Sequence, residues 1–167
     1  TLCRLLITTL WSGEGFGTRL AADPGRLRQD DSLIGFIPLL LGPRLPRDIA
    51  KSLVQRLLDG GWITDWGLAT ERPASPLYEP DGYWRGPIWA PTTMLLWDGL
   101  MSQGQALLAR DLARRFCRLC ETSGMAENFD ALTGAGLRDR AFAWTSAVYL
   151  WLAASLEGAG DGGGDQP

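Results

Sequence analysis

The sequence predicts an all-α fold. Three observations carry that expectation. Apolar residues recur at helical spacing along most of the chain, Pro and Gly stand at the cap positions of those segments, and no run alternates as a half-buried strand would. With 167 residues, 46% of them apolar and 21% charged, there is material for one domain with a real core.

The elements follow in order. The opening "TLCRLLITTLW" is apolar but short, is interrupted by Arg4 and lacks a small-residue cleavage site. It reads as an amphipathic helix rather than a signal peptide. "DSLIGFIPLLLG" is apolar on nearly every side, as a helix buried within an inner layer would be, and Pro38 bends or interrupts it. "PRDIAKSLVQRLLDGG" sets Ile49, Ala50, Leu53, Val54, Leu57 and Leu58 on one face, with Pro46 suited to the first turn and Gly60 to the cap. "APTTMLLWDGLMSQG" and "GQALLARDLARRFCRLCETSG" form the next pair, split at Gly104 and ending at Gly124. "RAFAWTSAVYLWLAASLEG" makes a last helix, apolar almost throughout. Residues 1–157 then form one structured unit, and "GAGDGGGDQP", residues 158–167, is expected to be a flexible tail.

Composition excludes several classes. A formal charge of −3 gives no reason to expect nucleic acid or an anionic membrane as partner. No apolar run approaches the ~18 residues of a membrane-spanning helix. The absence of histidine removes Ser-His and Cys-His catalysis and the usual zinc ligands, so no metal site is expected. "CRLC" has the CxxC spacing, but it lies within strong helical periodicity and lacks a second ligand pair. Cys117 and Cys120 are therefore read as a buried helix face, and the three cysteines suggest a reducing, cytoplasmic compartment.

Two connections are long. One runs from Gly60 to Trp89 and the other from Met125 to Arg140. Long loops inside a compact domain are functional or disordered, and the aromatic content of the first argues for function. Its segment "EPDGYWRGPIW" gathers Tyr83, Trp84 and Trp89 around Arg85, between residues that break both helix and strand. Aromatic faces beside an arginine suit sugar recognition: the C–H face of a pyranose stacks on Trp or Tyr, and its hydroxyls need charged partners. The alternative is that these rings plug the end of a helical bundle. In the second loop, "AENFDALTG" offers Glu127, with Asp130 and Asp139 as competing carboxylates. Glycoside hydrolysis needs two carboxyl groups, and Glu127 is a candidate for one of them.

"GYWRGPIWAPTTMLLWDGL", then "AENFDALTG", then "FAWTSAVYLWL" together resemble the C-terminal half of an (α/α)6-barrel glycoside hydrolase. The similarity is to the mannosyl-oligosaccharide glucosidase family (family 63) and the mannosylglycerate and glucosylglycerate hydrolases akin to it. "SLIGFIPLLLG" and "GGWITDWGLAT" extend the likeness, which runs from about Asp31 to Leu152. The resemblance implies a partial (α/α)6 toroid and inverting hydrolysis of an α-glucosidic or α-mannosidic bond, with Glu127 as the general base and no cofactor. It implies that Tyr83, Trp84, Arg85, Gly86, Trp89, Asn128, Phe129 and Trp144 line the sugar subsite, with both loops at one end of the helices. Asp130 and Ala131 depart from the Asn or Asp followed by Pro common in relatives, and "APTTMLL" replaces an Asn-Tyr pairing.

The relatives' general acid is an Asp in a Gly-Met-Asp-Asn-Ser-like segment upstream of the aromatic loop, and this chain has no such segment. Six helical hairpins at about 11–12 residues per helix do not fit here. The sequence also opens on Thr1 rather than Met. The expectation is a fragment whose partner is the missing N-terminal half of the same barrel, inactive by itself. A carbohydrate-binding remnant without catalysis and a non-catalytic helical scaffold are the alternatives.

Overall fold

The computed structural model describes residues 2–158. Five α-helices account for most of the regular structure: α1 (Leu2–Leu10), α2 (Arg47–Asp59), α3 (Ala90–Ser102), α4 (Ala106–Ser123) and α5 (Ala143–Glu157). Their ends match the expected signals closely. Gly60 caps α2 by donating its N–H to the Arg56 carbonyl, and Gly124 caps α4 in the same way through Cys120. Pro46 lies one residue before α2 rather than within it. The tail begins at Gly158, which caps α5, and the rest of it lies outside the described residues.

The segment from Leu33 to Arg44 is a 3-10 helix broken at Gly42, not the α-helix that its composition suggests. Pro38 and Pro43 remove two backbone donors, and Pro38 would collide with a preceding carbonyl in α geometry. Tighter 3-10 turns carry the chain past both prolines while Leu33, Phe36 and Leu39 stay buried. This segment packs on α3, which in turn contacts α4 and α5.

Short strands accompany the helices. β1 (Thr18–Leu20) and β2 (Asp23–Arg28) form an exposed hairpin, with Thr18 opposite Arg28 and a bulge beyond Arg19. β3 (Ile88–Trp89), β4 (Asn128–Phe129) and β5 (Gly136–Leu137) make a small antiparallel sheet. In it Ile88 stands opposite Phe129 and Trp89 opposite Asn128. This sheet joins the two long loops, and so places them at the same end of the helices.

The core has two parts. One gathers Leu33, Phe36, Leu39, Leu53, Leu57 and Trp62 with Leu96 and Leu100 of α3. The other joins Ile88, Phe116, Cys117, Cys120, Phe129, Val148 and Leu152. Cys117 and Cys120 are free and buried on α4, and burial, the largest influence, pushes their thiols up to about 11 and about 12. They are neutral core side chains, as the helical reading of "CRLC" requires.

Candidate active site

The long loop from Gly60 to Trp89 is held in place by backbone and side-chain hydrogen bonds rather than by regular structure. Thr70, almost fully buried, donates its hydroxyl to the Pro87 carbonyl (2.9 Å) and accepts from the Gly86 N–H (3.0 Å). The turn itself closes through Glu79 N–H to Arg85 carbonyl (2.7 Å). A side chain at Gly86 would run into the Glu79 carbonyl, so this position requires glycine. Gly86 is buried, and its part in the site is to let the turn close.

Trp89 is the hub of an aromatic cluster. The Tyr83 ring lies 4.4 Å from it nearly edge-on, Trp84 lies 4.7 Å away, and Trp144 at the start of α5 lies 6.3 Å away. Trp84 and Trp144 are 41% and 57% exposed, so the cluster offers open ring faces to a ligand. Arg85 pairs with Glu79 at 2.7 Å and is half exposed.

The second loop comes up against this cluster through β4. Glu127 is anchored by its own N–H, which donates to the Asp139 carbonyl (2.7 Å), and Thr145 of α5 donates to the Ala126 carbonyl beside it (2.7 Å). The Glu127 carboxylate faces the Tyr83 hydroxyl closely enough to act on its titration. Desolvation pushes the Tyr83 phenol up, the Glu127 carboxylate adds to this, and Arg138 opposes it.

The competing carboxylates are committed to backbone. Asp130 Oδ1 accepts from the N–H groups of Leu132 and Thr133, both at 2.8 Å, and Asp139 Oδ1 accepts from Ala141 at 3.0 Å. Both act as turn caps.

One expected site residue lies in the core. Phe129 is fully buried and packs on Phe116 with ring centroids 6.2 Å apart. Strand alternation is the reason: Phe129 and its partner Ile88 share the core face of the small sheet, whereas Asn128 and Trp89 share the other. Asn128 is buried with both amide atoms unpaired, and the Trp89 indole N–H is likewise unpaired.

Several residues outside the expected set also shape the site. Trp66 donates its indole N–H to the Leu132 carbonyl (3.2 Å), and its ring covers Gly134 so closely that no side chain would fit there. Arg138 pairs with Asp81 at 2.9 Å. Of these, Trp66, an aromatic in "GGWITDWGLAT", carried a visible signal in the sequence.

Glu71 is a further buried carboxyl, 4% exposed, accepting from the Ser75 hydroxyl at 2.6 Å. Burial pushes its pKa above the ordinary 4.5, and Asp31 and Asp30 add to that against Ser75 and Arg72. A raised folded-state value means stability that is fully present below 4.5 and lost as pH rises through the folded value. Glu71→Gln, which mimics the protonated form and keeps the Ser75 bond, is therefore expected to melt above the wild type at neutral pH. The gap should close as pH falls toward 4.5. A variant that melts lower at every pH would show that the charge itself is required.

Comparisons with known proteins place this geometry in a family. The model of the "Mannosylglycerate hydrolase MGH1-like glycoside hydrolase domain" matches residues 1–145. The mannosylglycerate hydrolase of Thermus thermophilus is 36% identical over 118 residues, which are 70% of this chain and 28% of that protein. Mannosylglycerate hydrolase MGH1 of Selaginella moellendorffii is 35% identical over 121 residues, 71% of this chain and 24% of that one. A crystal structure of the GH63 mannosylglycerate hydrolase from Thermus thermophilus, in complex with Tris and D-glycerate, superposes with a TM-score of 0.80 at 28% identity. That superposition takes in 90% of this chain and 36% of the other. The chain thus spans about a third or less of the relatives it matches, and its helices form part of an (α/α)6 toroid. With the family match running through both loops to the first turn of α5, the chain belongs to the MGH1-like mannosylglycerate hydrolase family of glycoside hydrolases.

Proposed function

We propose that this chain supplies the general-base half of an inverting glycoside hydrolase that cleaves the α-mannosidic or α-glucosidic bond of a glycosylglycerate-type substrate. One observation carries the reading. Of the three carboxylates in its loop, Asp130 and Asp139 cap turns, while Glu127 meets Tyr83 beside exposed aromatic faces. A sugar stacked on Trp84 and Trp144 would present its anomeric carbon to a water held by Glu127. Asn128 and the Trp89 indole lie on that same face, buried beneath the exposed rings with their polar atoms unpaired.

Inversion also needs a general acid, with the two carboxyl groups about 6.5–9.5 Å apart. The match takes in 28% of one relative and 36% of the superposed structure, and we assign the acid to helices outside these residues. The face of α5 supports this. Trp144, Ala147, Leu150, Trp151 and Ala154 form an apolar stripe that is exposed, as an inner helix would be without its neighbours. A cytoplasmic setting fits the free cysteines, and no described helix is long and apolar enough to cross a membrane.

The test is the stereochemistry of the first product. The complete enzyme, given α-mannosylglycerate or α-glucosylglycerate in an NMR tube, is expected to release the β-anomer before mutarotation. The 167-residue chain alone is expected to release none. Early α-anomer would mean retention, with Glu127 acting as a nucleophile or not at all. Sugar binding without turnover in the complete protein would instead favour a carbohydrate-binding remnant.

A further inference from the structure

Tyr83 and Arg138 are the two non-glycine residues with positive φ among the described residues, at +62° and +63°. That conformation is costly for side chains of this size and persists only where the surroundings enforce it. The two are in contact. The Arg138 guanidinium lies 5.4 Å from the centroid of the Tyr83 ring. Its Nη2 also pairs with Asp81 Oδ1 (2.9 Å) and donates to the Asp81 carbonyl (3.1 Å). A single side chain, one residue beyond β5, therefore grips the tip of the aromatic loop at three points.

We propose that Arg138 is a positioning residue that acts through Tyr83, holding the strained loop tip so that the Tyr83 hydroxyl meets the Glu127 carboxylate. The inference rests on the reading of Glu127 as the base. The geometry supports it over a purely structural role. The Arg138–Asp81 pair is 41% and 58% exposed, and exposed pairs contribute little to stability. Its energy is also set against a left-handed backbone at Arg138 itself. A contact that does little for stability yet enforces two unfavourable conformations beside the candidate base is accounted for by orientation. The fork of the guanidinium suits that role, because it reaches a carboxylate and a carbonyl together while its plane covers a ring, which an ammonium cannot reproduce.

The experiment compares Arg138→Ala, Arg138→Lys and Arg138→Gly with Glu127→Gln in the complete enzyme. Arg138→Gly is the control for folding, because glycine adopts this φ freely and its unfolding midpoint is expected to match or exceed the wild type. Arg138→Ala and Arg138→Gly are expected to lower kcat about tenfold, with KM within about twofold, since a small misplacement of the base is felt at the transition state. Arg138→Lys should recover part of kcat. Wild-type kcat in Arg138→Gly beside a dead Glu127→Gln would overturn this inference and leave the base assignment standing. An active Glu127→Gln would overturn the base assignment first, and with it the route by which Arg138 acts.

Discussion

Replacing Glu127 by Gln is expected to stop turnover while leaving sugar binding intact. The amide keeps the shape of the side chain but cannot take a proton from water. The loss of a general base costs roughly 10²–10⁴-fold in rate. Binding should survive because it rests on other groups: the open faces of Trp84 and Trp144 and the cluster centred on Trp89. Both quantities are measurable in the complete enzyme, kcat by product release and affinity by quenching of the exposed tryptophans. Asp130→Asn is the internal control. Its Oδ1 would still accept from Leu132 and Thr133, so the turn and the rate should both persist. A Glu127→Gln enzyme with wild-type kcat would sink the assignment and make Asp130 the next carboxylate to test.

The fold was legible wherever a physical pattern repeats along the chain. α2 and α4 have one buried and one solvated face, so their periodicity shows directly, and Gly60 and Gly124 end them. Exposed β1 and β2 leave no alternation to read, because neither face is buried. β3, β4 and β5 are two residues each, too short for any pattern. The 3-10 segment was half visible: its apolar content marked it as buried and Pro38 marked trouble, but the conformation around the proline is set by packing on α3.

The candidate site divides along the same line. Tyr83, Trp84, Trp89, Glu127 and Trp144 stood out as residue types in a motif, and the structure brings them to one place. Arg138 did not, because a left-handed backbone at a non-glycine residue leaves no mark in the sequence. Asp130 and Asp139 looked equivalent to Glu127 as letters. They differ in hydrogen bonds to backbone a few residues away, which depend on how each turn closes. Thr70 and Gly86 show how far the aromatic motif depends on its support. A buried hydroxyl bridges Gly86 and Pro87 beneath the turn.

Phe129→Ala separates the two roles this residue has been given, and its expected effect falls on folding rather than on substrate. Phe129 is fully buried, with Phe116 across from it and Ile88 as its strand partner. Truncating a buried Phe to Ala costs about 3–5 kcal/mol through lost transfer energy and the cavity left behind. Against a total stability of about 5–15 kcal/mol that is enough to lower the unfolding midpoint visibly or to prevent folding. Phe129→Leu leaves a smaller void and should cost much less, which guards against an uninformative insoluble variant. A ligand contact would behave in the opposite way, raising KM while the midpoint stayed where it was. Denaturant unfolding of both variants beside KM in the complete enzyme therefore decides the matter. A raised KM with an unchanged midpoint would return Phe129 to the sugar subsite. It would also mean that β4 presents its other face to the core, with Asn128 inward, so the unpaired amide of Asn128 would need a partner there rather than in a ligand.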